Sequence, residues 1–387
     1  MPDKSVMGKG LAVVDKYYQA YGNRVRELKA DNQKIVGYLS MFVPLEMISA
    51  AGFLPFRIKG DVKEPITKAD TLMETIVCPF VRSGFDLMLK SKYEFIDGMA
   101  IPHTCDSVGR TYGIWHSALN LSYFHFIDVP HITDAPSLEF FKAELGTFKK
   151  SLESFAGKNI SDDSLAQAIR SYNENRAKMR ELYELRRANP PLISGPEMLK
   201  VQVAVMGIPV AESTELIDEV IREVKEREVT AGRNLPRIMV IGAQIDDTAF
   251  MDIVDGSGAR VVMDDISIGS KVYWADVDTA KDPLDGIAER YLFGIKHPRT
   301  YIETEGTYQD NLEARFGHIG RFIRDFGVEG VIIYVYRYCD PYGFEVPAMK
   351  SYIEATGVPV LYLEDEYSMG TIGRLKTRVE AFLEMIV

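Results

Sequence analysis

The feature that most limits the fold is an alternation. Short apolar runs rich in Val, Ile, Phe and Tyr, each ending in a polar turn, take turns with stretches whose apolar residues recur at helical spacing. Residues 10–30 read as an amphipathic helix, with Leu11, Val14, Tyr17, Tyr18 and Tyr21 along one side. "KIVGYLSMFVP" (34–44) reads as a buried strand stopped by Pro44. "LEMISAAGFLPFRI" reads as a short helix with Gly52 as its C-cap, then a second strand. "CPFVRSGFDLMLK" (78–90) is helical, with Pro79 in the first turn. "EFIDGMAIPHTCD" (94–106) is a strand running into a turn, "GRTYGIWHSAL" a helix, and "YFHFIDVP" (123–130) another strand. Parallel strands need a crossover between them, so this order implies a mainly parallel sheet wrapped by helices.

From about residue 137 the pattern changes to long charged helices. "SLAQAIRSYNENRAKMRELYELRRAN" is one, closed by two prolines; "STELIDEVIREVKEREVTAG" is another, opened by a Ser/Thr cap and closed by Gly232. Strand signals return at "PRIMVIGAQI" (236–245), "ARVVMDDIS" (259–267), "GVIIYVYRYCD" (330–340) and "PVLYLEDEY" (359–367). The expectation is an α/β fold: two Rossmann/flavodoxin-like parallel-sheet domains over 1–136 and 236–387, with an additional helical segment over 137–235. The two α/β units read as distant copies of one design. There is no GxGxxG and no Walker loop, so no nucleotide site is signalled.

Composition narrows the function classes. The net charge is −11 and no Lys/Arg cluster stands out, which argues against a nucleic-acid partner. No apolar run is long enough to span a bilayer and the first residues lack a signal-peptide core, so no membrane is expected and the expected compartment is the cytoplasm.

Three cysteines, Cys78, Cys105 and Cys339, are too few and too far apart for a disulfide framework in such a compartment. Cys78 precedes a helix; Cys105 and Cys339 close strands of different domains, and both are followed by Asp in "TCDS" and "YCDP". The bland reading is three buried thiols, since free cysteine is a common core residue. Against it, strand ends beside Asp, Pro and His are polar places, and the carboxyl ends of parallel strands are where open α/β sheets carry their sites. Three converging thiolates suit zinc or an iron–sulfur cluster, and spacing alone leaves both open.

Longer stretches carry a resemblance. "YLSMFVPLEMISAAGFLPFRI", "FIDGMAIPHTCDSVGRTYGIW", "SDDSLAQAIRSYNENR", "ARVVMDDISIGSKVYW" and "YRYCDPYGFEVPAMKSYIEATGVPVLYLEDEY" resemble the 2-hydroxyacyl-CoA dehydratase and benzoyl-CoA reductase family of iron–sulfur subunits, from about residue 34 to the C-terminus. The resemblance implies that Cys78, Cys105 and Cys339 hold a [4Fe–4S] cluster in a cleft between two α/β domains. It implies a homologous second iron–sulfur subunit, in a heterodimer or homodimer. It also implies an ATP-dependent activator, itself an iron–sulfur protein, that injects an electron of very low potential. The substrate class is a CoA thioester. In the reductases electrons enter the aromatic ring of benzoyl-CoA; in the dehydratases one electron makes a ketyl radical from an (R)-2-hydroxyacyl-CoA, and water leaves. The surroundings of Cys105 and "YFHFIDVP" look closer to the smaller benzoyl-CoA reductase subunits, while "VVMDDISIGSKVYW" looks equally like the dehydratases. A non-catalytic electron-relay subunit is the rival of a different class.

Several other residues are candidates beside that set. His103 is placed to donate a proton to a reduced ring or a hydrogen bond to a cluster sulfide, and Ser40 to contact substrate or the open iron; each also reads as an ordinary turn residue. Arg110 suits a CoA phosphate or a helix start. Asp106 and Asp340 are expected to cap the turns after their cysteines. His116 and His125 are expected to be structural, and Tyr334, Tyr336 and Tyr338 to share one strand face.

Overall fold

Among the described residues, eight strands form two separate sheets, and both are wholly parallel. The computed structural model describes residues 10–227 and 234–386. The first sheet holds β1 (Ile35–Tyr38), β2 (Leu54–Arg57), β3 (Gly98–Pro102) and β4 (Tyr123–Ile127) in the order β2-β1-β3-β4. The second holds β5 (Arg237–Gly242), β6 (Arg260–Asp265), β7 (Gly330–Tyr336) and β8 (Val360–Asp365) in the order β6-β5-β7-β8. The two orders are the same, so the units repeat one doubly wound topology. In each, the chain leaves the first strand to one side and returns on the other, which opens a crevice beyond the carboxyl ends of the first and third strands.

Side-chain alternation divides the core into layers. Ile35, Met99, Ile238, Val240 and Ile332 belong to one apolar cluster that runs through both units, while Met239 and Ile241 face a second cluster and Val36 and Ala100 a third. All seven residues of β7 are buried, as a central parallel strand covered on both faces requires. The middle helices divide between the sheets. Ala135–Ala156 packs on β4, whereas Gly195–Val205 packs on β6 and on the helix Gly10–Gln19.

Some local expectations give way. The helix read over residues 10–30 is two, Gly10–Gln19 and Asn23–Ala30, because Gly22 turns the chain with φ +90° between them. The strand read over 34–44 ends at Tyr38. The helix given a Ser/Thr cap starts earlier, as Val210–Lys225 after Pro209. Ser213 and Thr214 lie inside it, where both hydroxyls accept from the amide of Asn175 (2.7 and 3.1 Å). Gly232 lies outside the described residues. No helix among the described residues is long and apolar enough to cross a membrane.

Candidate metal centre

Each cysteine is the N-cap of a helix. Cys78 precedes Pro79–Leu89, Cys105 precedes Asp106–Ala118, and Cys339 precedes Asp340–Glu354. Cys105 follows β3 and Cys339 follows β7, the third strand of either sheet, so both stand at the crevice that the topology opens. Cys78 arrives from the β2–β3 crossover. The loop ahead of it is held by Asp86, whose carboxylate accepts from the backbone N–H groups of Thr67 (2.9 Å), Lys68 (2.6 Å) and Ala69 (3.0 Å).

The thiols feel one another's charge. Burial pushes the Cys105 thiol up to about 12, against the first-turn amides of Val108 and Ser107, and the charges of Cys78 and Asp340 push the same way. Burial raises Cys339 further, and the charges of Cys78 and Cys105 add to it. Burial also raises Cys78, while the amides of Val81 and Phe80 pull it down. Left to themselves, the three resist ionisation, chiefly because they are buried, and Cys105 and Cys339 also because of the other thiols. A metal centre reverses that balance, since ligands bind as thiolates and its positive charge repays their repulsion. Helix N-termini favour the same outcome: each aims free N–H groups and a partial positive charge at its sulfur.

Among the described residues, no three His, Cys, Asp or Glu side chains sit tightly enough to share a single metal ion. A tetrahedral zinc needs its ligands gathered on one ion. A cubane takes each thiolate on a different iron, so its ligands stand further apart. The donor chemistry, three thiols at helix N-termini, fits a three-cysteine [4Fe–4S] cluster.

The family described as 2-hydroxyglutaryl-CoA dehydratase, D-component, matches residues 40–386, which include all three cysteines. The chain belongs to this family. It is 27% identical to one of the subunits of benzoyl-CoA reductase from Thauera aromatica, over 92% of this chain and 91% of that protein. It is 24% identical to the (R)-phenyllactyl-CoA dehydratase beta subunit of Clostridium sporogenes, over 94% of each. It is 23% identical to the beta subunit of (R)-2-hydroxyglutaryl-CoA dehydratase from Acidaminococcus fermentans, over 92% of this chain and 94% of that protein. As a member of the dehydratase family this chain is similar to subunits of enzymes of both chemistries.

At the ends of β1 and β3 this family member carries polar atoms without partners. His103 turns Nδ1 to the Asp128 carboxylate at 3.0 Å, which leaves Nε2 free for chemistry. Ser40 Oγ and Thr104 Oγ1 are buried with no hydrogen-bond partner among the described residues. An open cleft of about 610 Å³ has Pro79 and Tyr338, the chain neighbours of Cys78 and Cys339, in its walls, with Arg82 and Tyr367. Arg82 is tied there to Asp70.

Other candidates fall elsewhere. Asp106 and Asp340 are the first residues of their helices and the cysteines take the cap positions, so the two carboxylates supply first-turn charge instead of caps. Arg110 and His116 are exposed on the helix after Cys105. His125 packs on Phe148 at 4.9 Å, and burial lowers it to about 4. Tyr334 and Tyr336 share a face with rings 5.4 Å apart, but β7 stops there; Tyr338 sits in the turn with φ +64° and is half exposed.

Sequence reading missed the buried charges. Glu46, fully buried, accepts from Arg176 (2.8 Å) and from Tyr291 (2.8 Å). Asp265 pairs with Lys271, both buried, with His318 at 3.5 Å. Glu46 inside the apolar "FVPLEMISAAGF" was the available signal. Asp265 and Lys271 lie in "MDDISIGSKVYW" without a comparable contrast.

Proposed function

We propose that the chain is the [4Fe–4S] subunit of an ATP-activated, low-potential enzyme complex acting on CoA thioesters, of the benzoyl-CoA (aryl-CoA) reductase type. One observation carries the reading: three cysteine-capped helix N-termini, from both α/β units, bring three thiols within reach of one another's charge. Cys78, Cys105 and Cys339 hold the cluster. When bound it supplies one-electron transfer at low potential and an iron open to a further ligand. The chain's own residues do the rest. His103, oriented by Asp128, holds at Nε2 the proton that a reduced ring requires. Ser40 Oγ offers a hydroxyl to the bound acyl group. The strand ends of the two units wall the centre and exclude water, which protects a strongly reducing reaction from side paths. ATP is used by a separate activator, in keeping with a sequence that has no phosphate-binding loop, and a homologous iron–sulfur partner completes the complex.

The second reading is an (R)-2-hydroxyacyl-CoA dehydratase subunit. It is favoured by the names of two of the relatives above and by that of the matched family. Anaerobic reconstitution with the homologous partner, activator, ATP and reductant separates the two. Benzoyl-CoA consumed in step with ATP and external electrons supports the reductase. Turnover of a 2-hydroxyacyl-CoA with catalytic reductant assigns the dehydratase. Turnover of neither, with iron that still accepts electrons, leaves an electron relay.

A further inference from the structure

The second half of the chain sends one cation into the strand ends of the first. Arg299, which follows the turn Arg290–Gly294, is 7% exposed. Its Nη2 donates to the carbonyls of Val129 (2.6 Å) and Pro130 (2.7 Å) just past β4, and the guanidinium lies 4.5 Å from the centre of the Phe42 ring. All of those partners are neutral. Nε is buried with no hydrogen-bond partner, and no carboxylate forms an ion pair with Arg299 among the described residues. A buried guanidinium without an anion is costly, and a chain keeps one where an anion is to arrive.

The direction of that anion can be read from the register: Pro102 pairs with Ile127 and the His103 N–H donates to the Ile127 carbonyl (2.8 Å), so Val129 and Pro130 lie beside the turn that leads to Cys105. Burial works against the Arg299 cation and brings it to about 9, so it stays charged at neutral pH; the charges that favour it are those of Cys105 and then Asp128. His131, whose ring is 5.0 Å from that of His103, does not compete as a cation. Burial, with the charges of Arg299 and His103, holds it at about 4.

We propose that Arg299 is the fixed counter-charge of the anionic centre held at Cys105, raising its electron affinity without touching substrate. This rests on the cluster reading above. One-electron reduction adds one negative charge to the centre, and a cation fixed nearby in a desolvated site favours that charge. Arginine suits the task because it keeps its charge when buried while two carbonyls fix its orientation.

Wild type, Arg299→Met and Arg299→Lys, each purified anaerobically, are assayed for iron and titrated with titanium(III) citrate under EPR. Arg299→Met is expected to keep its iron and to titrate at a more negative midpoint, with Arg299→Lys close to wild type. Coincident midpoints for wild type and Arg299→Met overturn the inference. So does a shift as large in Arg299→Lys, because it assigns the effect to the lost carbonyl clamp. Wild type without iron contradicts the cluster reading instead. Should Arg299→Met fail to hold iron, Arg299→Gln decides, because its amide can still donate to the Val129 or Pro130 carbonyl. A more negative midpoint in Arg299→Gln supports the inference, and one coincident with wild type overturns it.

Discussion

Cys105 and Cys339 hold the same place in two copies of one topology: each caps the helix that follows the third strand of its sheet, and each is followed by an aspartate. Cys78 breaks that symmetry, since it comes from the crossover between second and third strands of the first unit alone. Two equivalent positions and one extra make up the proposed ligand set.

The loop that delivers Cys78 depends on Asp86. Asp86→Ala leaves three backbone N–H groups of residues 67–69 without their acceptor and removes the partner of Lys90. Trypsin cleavage after Lys63 or Lys68 should accelerate about 5- to 150-fold, the factor that goes with ~1–3 kcal/mol for unsatisfied donors. Asp86→Asn, which keeps one acceptor oxygen, should fall between. Equal cleavage rates in all three proteins would mean that Asp86 does not hold the loop.

Glu46 ties three segments of the chain through Arg176 and Tyr291. Burial opposes its ionisation, but the charges of Arg176 and Arg290 outweigh it and hold the carboxyl below the usual range. With the folded value below the unfolded one, the stabilisation is full above the unfolded value of about 4.3 and is lost as pH falls through the folded value. Glu46→Gln should cost up to about 3–5 kcal/mol at neutral pH, because buried Arg176 keeps only the partly exposed Asp276 carboxylate (3.4 Å) as counter-charge. Urea unfolding should also show a shallower fall in stability than wild type as pH drops below about 4.3. Parallel pH profiles would contradict the assignment.

Tyr338 adopts a left-handed backbone one residue before Cys339. For a residue with a Cβ that conformation costs of order 1 kcal/mol, and more when the side chain is β-branched. In the iron-free chain, Tyr338→Asn should unfold at or above the wild-type temperature and Tyr338→Val below it. A more stable Val variant would mean that the turn carries no such strain.

Much of the fold was legible because parallel strands, buried on both faces, leave continuous Val/Ile runs such as "GVIIYVY", and their ends are marked by polar turns. The sheet order was not legible. It depends on which strand ends pair across the crossovers, and nothing local encodes that. Around the site, Cys78, Cys105 and Cys339 stood out by rarity and by position, and His103 and Ser40 by adjacency. Arg299 did not, because "KHPRTY" reads as a surface turn until the fold carries it across to Phe42. The cap role of the cysteines was hidden for another reason: Asp is the better N-cap by preference, so local chemistry favoured Asp106 and Asp340, and tertiary placement gave the position to sulfur.

The central claim is that the three thiols hold one cubane. Its most direct measurement is iron and acid-labile sulfide per chain after anaerobic reconstitution, in wild type and in Cys78→Ala, Cys105→Ala and Cys339→Ala. The account predicts about four of each in wild type, as a [4Fe–4S] centre requires, and a loss towards zero or an unstable centre in every single variant. Iron that stays near the wild-type level in all three variants, or a wild-type chain that takes up none, would contradict it.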